Sequence, residues 1–131
     1  ARRELDEAFE LAMRLRAMHP EQPSALANLA SIGMTLGKPI EDSLRLLREA
    51  LVLAPDYLFA RCTLARHLAC EGRLDEARAL LESLFEREQW HYSEYRSFML
   101  AQRAMALAQG EVEAVAAMDE TLADIERRFG G

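Results

Sequence analysis

The sequence has very little cysteine. Its two cysteines, Cys62 and Cys70, lie eight residues apart on one predicted helix, which separates them by about 12 Å along the helix axis. That separation is too long for a disulfide bond between them. We therefore expect two reduced, partly buried thiols with no redox role.

Catalytic and metal-binding motifs are also missing. The sequence contains no glycine-rich phosphate loop, no HExxH, no GxSxG and no CxxC. His67, Cys70 and Glu71 recur at helical spacing, but such coincidences are common in amphipathic helices and we expect no metal site. His19 and His91 lie at predicted helix or repeat ends, where capping is favoured over catalysis. The sequence therefore predicts a protein that is not an enzyme and that needs no cofactor.

Long apolar runs and basic clusters are lacking too. No run approaches the ~20 apolar residues of a membrane span, and the start, ARRELDEAFE, has no apolar signal-peptide region. The net charge of −6, with basic residues clustered only in pairs, disfavours contact with a phosphate backbone. We expect a cytoplasmic protein without a membrane or nucleic-acid partner. Because the chain begins with Ala1, a removed leader and a longer parent chain both stay open.

Apolar residues at helical spacing, in contrast, are abundant. They make up 50% of the 131 residues, which is enough for a single core. They recur every three or four residues in almost every segment, while proline and glycine separate the segments. The first predicted helix ends near His19-Pro20. The next four run from Pro23 to Gly37, from Pro39 to Pro55, from Asp56 to Gly72 and from Gly72 to Leu84. The sixth is capped by Ser93 and ends at Gln109, and the last follows Gly110. The sequence predicts seven helices and no sheet.

These signals repeat along the chain. The dipeptide Leu-Ala recurs with spacings of 35 and 36 residues, and the helix-ending glycines recur with spacings of 35 and 38. The positions are Leu29-Ala30, Leu64-Ala65 and Leu100-Ala101, with Gly37, Gly72 and Gly110. A period of two helices is typical of a solenoid, because a short helix must pack on its neighbours to be stable.

With this period the chain resembles the tetratricopeptide repeat family. The middle repeat carries the pattern at Leu64-Ala65, Leu68, Gly72, Ala77, Leu81 and Leu84, with Gln89 in place of the family's proline. The preceding repeat has Gly33 at the family's aromatic position. The resemblance implies antiparallel helix pairs stacked as a right-handed solenoid in a single domain, 1–131. Residues 1–20 would be the second helix of a partial repeat, 23–55 and 56–91 would be repeats, and 92–131 a degenerate repeat.

The resemblance also implies a concave surface lined by the first helix of each repeat. By register, the candidate partner-binding residues are Asn28, Phe59, Thr63, Arg66, Tyr95, Phe98, Met99 and Gln102. Five of the nine aromatic residues, Phe85, Trp90, Tyr92, Tyr95 and Phe98, lie within fourteen residues of one another. We interpret Phe85 and Trp90 as filling a gap between repeats, and Tyr95 and Phe98 as part of the concave surface. Phe59 and Thr63 stand where some family members hold a carboxylate, so that type of ligand is not expected.

The repeat pattern and the predicted concave surface support two functional hypotheses. The favoured one is a non-catalytic interaction module that binds a peptide or helical segment of a partner protein in the groove. The alternative is structural self-association or stacking, as a fragment of a longer array or as a regulatory part of a larger enzyme. Apolar Ile125 and Phe129 of the last helix would either fold back on the third repeat or meet a second chain, and we expect a homodimer.

Overall fold

The computed structural model describes residues 2–130. Within that range the protein has seven α-helices, one 3₁₀ helix and no strand. The helices are α1 (Arg2–Met18), α2 (Pro23–Leu36), α3 (Ile40–Leu53), α4 (Leu58–Cys70), α5 (Leu74–Leu81), α6 (Tyr92–Ala108) and α7 (Val112–Phe129), and the 3₁₀ helix is Glu82–Glu86. The prediction of an all-α fold with seven helices is confirmed. None of the helices in this part of the chain is both long and apolar enough to cross a bilayer.

The chain divides into two compact units. One extends up to Arg61 and the other begins at Cys62, so the division falls inside α4. In the first unit α2 packs against both α1 and α3. In the second unit α6 packs against α7 and α5. Each unit is therefore held by contacts between helices that follow one another in the sequence.

The predicted helix breakers have the backbone geometry that ends a helix. Gly37, Gly72 and Gly110 have φ values of 75°, 80° and 73°. This left-handed conformation is costly for residues with a Cβ atom, so glycine is favoured where the chain leaves a helix in this way. Pro23 lies in the first turn of α2 and Pro39 is the N-cap of α3, where a missing backbone N–H does no harm. The predicted separators are confirmed.

The repeated Leu-Ala dipeptide marks buried positions. Ala30, Ala65 and Ala101 are all completely buried, and each lies in a helix that ends near one of the left-handed glycines. A small side chain at such a position lets two helices approach closely, which a larger one would prevent. The sequence period therefore corresponds to a recurring structural environment.

The segment after Gly72 is less regular than predicted. The α-helix ends at Leu81 and continues as the 3₁₀ helix. Leu81 and Leu84 are both buried, and their spacing of three residues places them on one face of a helix with about three residues per turn. The tighter winding thus keeps both leucines in the core.

The apolar end of α7 contacts its own unit. Ile125 is buried, and the Phe129 ring stacks on Tyr92 at 5.1 Å with an interplanar angle of 10°. The two alternatives for this helix were a contact within the chain and a contact with a second chain. The contact that the structure contains is the one within the chain. A homodimer stays a prediction, and Phe129 still leaves about half of its surface exposed.

Candidate functional site

Four aromatic side chains of the second unit form one connected group, which we name the aromatic cluster. Phe85, Trp90, Tyr95 and Phe98 belong to it. The Trp90 ring stacks on Phe98 at 5.0 Å and meets the Tyr95 ring edge-on at 5.6 Å. The Phe85 ring meets the Phe98 ring edge-on, with the two ring centroids 5.2 Å apart. Offset and edge-on arrangements are those that aromatic rings prefer, so the cluster is a packed unit.

The cluster is buried in its middle and open at its margin. Phe98 is only 5% exposed, whereas Phe85 is 59% exposed. Trp90 and Tyr95 are partly buried. Phe98 and Met99, the latter 8% exposed, were expected to form the floor of a binding surface, but in this conformation both are core residues. The accessible aromatic surface of the cluster comes instead from Phe85, Trp90 and Tyr95.

A hydrogen-bonded cap fixes the start of α6 beside the cluster. His91 is the N-cap residue: its Nδ1 accepts the backbone N–H of Ser93 at 3.3 Å. The Glu94 carboxylate accepts the backbone N–H of His91 at 3.0 Å. The two bonds form a capping box. The prediction that Ser93 caps this helix was therefore wrong, because the reciprocal bonds centre on a histidine two residues earlier.

Arg87 links this cap to the aromatic cluster. Its Nη2 donates to both carboxylate oxygens of Glu94, at 3.0 and 2.9 Å, and its guanidinium lies 5.1 Å from the Trp90 ring centroid. The indole Nε1 of Trp90 donates to the Arg87 carbonyl at 2.9 Å. A guanidinium over an indole face and an arginine–carboxylate ion pair are both favourable. Together they hold the Trp90 ring in place, a role for Arg87 that sequence reasoning missed.

These contacts also lower the pKa of the Glu94 carboxyl below its usual value. The main cause is the hydrogen bond from the His91 backbone N–H, and the Arg87 guanidinium acts in the same direction. Partial burial opposes the shift. Both stabilising contacts favour the ionised carboxylate, since it can only accept hydrogen bonds.

The replacement Glu94→Gln tests the charged part of this cap. Glutamine keeps an oxygen acceptor but loses the charge, so at pH 7 we expect the variant to be less stable by about 1 kcal/mol. The pKa of Glu94 is lowered in the folded state. Its contribution is therefore complete above the unfolded value of about 4.3 and disappears as the pH falls through the folded value.

Urea denaturation of the two proteins at pH 7 and at about pH 2 measures this difference. The two free energies of unfolding should converge at the lower pH. A difference that is the same at both pH values would show that the carboxylate charge does not stabilise the cap.

The other candidate residues of the second unit are accessible. Arg66 is exposed and takes part in no ion pair with another residue of the range 2–130. Thr63 and Gln102 are partly exposed. Among the candidates the structure brings Tyr95 and Phe98 together, through the Trp90 ring that both contact.

The remaining two candidates belong to the first unit. Asn28 is exposed on α2, and Phe59 is partly buried at the start of α4. The ring of Phe59 lies 5.9 Å from that of Tyr57, tilted by 59°. Both side chains retain surface that a ligand could contact.

The histidine and cysteines of α4 do not form a cluster. His67 Nε2 lies 3.2 Å from Glu71 Oε1, while Cys62 is buried and Cys70 is exposed. Across the described range there is no group of three or more His, Cys, Asp or Glu side chains that could hold a metal ion.

Comparison with known proteins identifies no relative of this chain. No family model matches the chain, and neither the curated proteins nor the solved structures contain a match.

Proposed function

We propose that this protein is a non-catalytic interaction module of the tetratricopeptide repeat type, which binds a peptide or a helical segment of a partner protein. The recurrence of buried alanines and left-handed glycines at the repeat period supports the resemblance to that family. In this proposal the helix pairs stack as a right-handed solenoid. The partner contacts the first helix of each pair.

The observation that carries the proposal is the partly open aromatic cluster. Well-packed cores cover their aromatic rings, whereas Trp90 and Tyr95 keep ring surface in contact with solvent. Aromatic and arginine side chains are enriched at protein interfaces and in their energetic hot spots. Tyr95 is held by its edge-on contact with Trp90, so its presentation to a partner costs little conformational entropy.

Arg66 supplies the polar part of the proposed site. It is exposed, and no carboxylate of the described residues neutralises it. A partner carboxylate or backbone carbonyl can accept its hydrogen bonds, and a guanidinium offers several donors in fixed geometry. In the proposal Arg66 orients the bound segment while Tyr95 buries one of its apolar side chains.

Retention of proteins from a lysate of the source cell tests the proposal. The variant Arg66→Ala/Tyr95→Ala should lose the partner that the wild-type protein retains, because both residues are accessible. Phe98 is left intact since it is buried. Wild-type stability, confirmed by thermal melting, separates loss of binding from loss of folding.

The control variant is Arg78→Ala/Glu82→Ala. These side chains line a shallow depression with Phe85 on α5 and the 3₁₀ helix, so the variant shows whether the partner contacts the Phe85 end of the cluster. The control should retain the partner. Loss of the partner through the control alone would move the site to α5, and an unchanged set of retained proteins in both variants would contradict the proposed surface.

Self-association is a second candidate function. Leu11, Leu15 and Met18 of α1 are exposed, and their spacings of four and three residues place them on one face of the helix. An apolar stripe of this kind can stack on a second copy of the chain. Light scattering at several concentrations distinguishes the two candidates: a mass that grows with concentration favours stacking, and a constant monomer mass favours the interaction module.

The proposed location is the cytoplasm. The thiol of Cys70 is free and exposed, which is typical of proteins in a reducing compartment.

A further inference from the structure

The first unit contains a cleft between α1, α2 and α3, which we name the N-terminal cleft. Its volume is about 310 Å³, at the lower end of the range for small-molecule sites. Phe9 and Met13 of α1 line one side, Leu46 of α3 lines the other, and Gly33 of α2 lies between them. The cleft therefore has apolar walls and room for one ring or one branched aliphatic group.

Gly33 is buried in α2, where side chains of α1 and α3 pack closely on it. A Cβ atom at this position would lie 3.1 Å from Ser43 Oγ and 3.5 Å from Phe9 Cε1. Ser43 has little freedom to move away, because it is buried and its hydroxyl donates to the Ala30 carbonyl at 3.1 Å. A side chain at position 33 would therefore crowd Ser43 and Phe9, which both line the cleft.

The backbone does not require glycine at this position. Gly33 lies inside α2 and is not among the positive-φ glycines. Glycine in a helix is less favourable than alanine, by about 1 kcal/mol. The sequence thus carries a residue of low helix propensity at a position where a side chain would crowd the wall of the cleft.

The charged rim of the cleft has an excess of cations. Arg16 pairs with Glu49 at 3.4 Å, and Arg45 pairs with Asp42 at 3.2 Å. Lys38 is the third cation of the rim, and it forms no ion pair within residues 2–130. Its Nζ lies 5.0 Å from the centroid of the Phe9 ring, so the free ammonium is held at the edge of the apolar wall.

We propose that the N-terminal cleft binds a small aromatic or branched aliphatic carboxylate. The apolar group enters between Phe9, Met13 and Leu46, and the carboxylate pairs with Lys38. The two carboxylates of the rim do not oppose such a ligand, since each is already neutralised by an arginine. The cleft lies wholly within the first unit, so the inference does not rest on the partner-binding surface proposed for the second.

Titration with 3-phenylpropionate and with its neutral amide, 3-phenylpropanamide, tests the inference. The probes share the aromatic group and differ in charge. Followed by ¹H–¹⁵N NMR, both should shift the amide resonances of Gly33 and Lys38. The carboxylate should bind about three- to fivefold more tightly, as expected for one partly exposed ion pair, and its advantage should decrease with salt.

Two variants, each of which removes one positive charge, identify the residue that causes the preference for the carboxylate. Lys38→Gln should abolish the preference for the carboxylate while the amide binds as before. Arg14→Gln removes a charge from an exposed residue of α1 outside the cleft, and it should leave the preference unchanged. Gly33→Ala should weaken both probes, because the new methyl group would displace Ser43 or Phe9 in the wall of the cleft.

Three results would overturn the inference. They are equal affinity for the two probes, equal weakening by Lys38→Gln and Arg14→Gln, and shifts that fall outside the first unit. Lys38 is exposed, so its replacement leaves the fold intact and the comparison holds even where Gly33→Ala is destabilised.

Discussion

The variant Ala65→Glu is expected to lose most of its folding stability. Ala65 is completely buried in α4, so glutamate would bring both extra volume and an unpaired carboxylate into the core. Overpacking alone costs about 1–3 kcal/mol, and a buried charge without a partner adds several more. A loss of about 4 kcal/mol or more is a large fraction of the total stability of a domain this size.

The neighbouring position provides a matched control. Arg66 is exposed and makes no ion pair with the described residues, so Arg66→Glu should change the free energy of unfolding by only about 0.5 kcal/mol. Urea denaturation followed by far-UV circular dichroism measures both. Equal midpoints for the two variants would show that the assigned face of α4 is wrong.

Phe98→Ala is expected to have the second largest effect. The Phe98 ring is 5% exposed and contacts both Phe85 and Trp90. Its removal leaves a cavity between these rings, and truncation of a buried phenylalanine costs about 3–5 kcal/mol. The start of α6 should loosen as well, because Trp90 loses the ring on which it stacks.

Phe85→Ala is the control for this substitution. It removes the same side chain from a position that is 59% exposed, so we expect a loss of about 1 kcal/mol or less. The same denaturation measurement applies, with near-UV circular dichroism as a report on the Trp90 environment. If Phe98→Ala were as mild as Phe85→Ala, the cluster would not be part of the core.

The sequence predicted the helices well where the signals were local. Gly37, Gly72 and Gly110 mark helix ends because a left-handed backbone there depends on the residue itself. The alanines at positions 30, 65 and 101 recur with the repeat period and are all buried. Such features follow from single residues and their spacing, which a sequence displays directly.

The predictions failed where several side chains act together. Register placed Phe98 and Met99 on an accessible surface, but the Trp90 ring packs on Phe98 from outside the helix. The cap at His91 depends on a histidine nitrogen and a backbone N–H that approach only in the folded chain. The usual signature of a capping box begins with serine or threonine, so no sequence signal identified it.

The N-terminal cleft shows the same limit. The sequence drew attention to Gly33 only as a departure from the family's aromatic position. That a side chain at this position would crowd Phe9 and Ser43 beside a cleft follows from how α1 and α3 pack on α2. Spacing along the chain contains no information about such a volume.

The affinity for the retained partner, measured by isothermal titration calorimetry, tests the proposed function most directly. Tyr95→Ala should weaken binding by at least about tenfold, equivalent to about 1.4 kcal/mol, as for an aromatic side chain at the centre of an interface. Arg78→Ala/Glu82→Ala should bind as the wild-type protein does. An unchanged dissociation constant for Tyr95→Ala, in a variant that melts like the wild type, would contradict the proposal that Tyr95 forms part of the partner-binding surface.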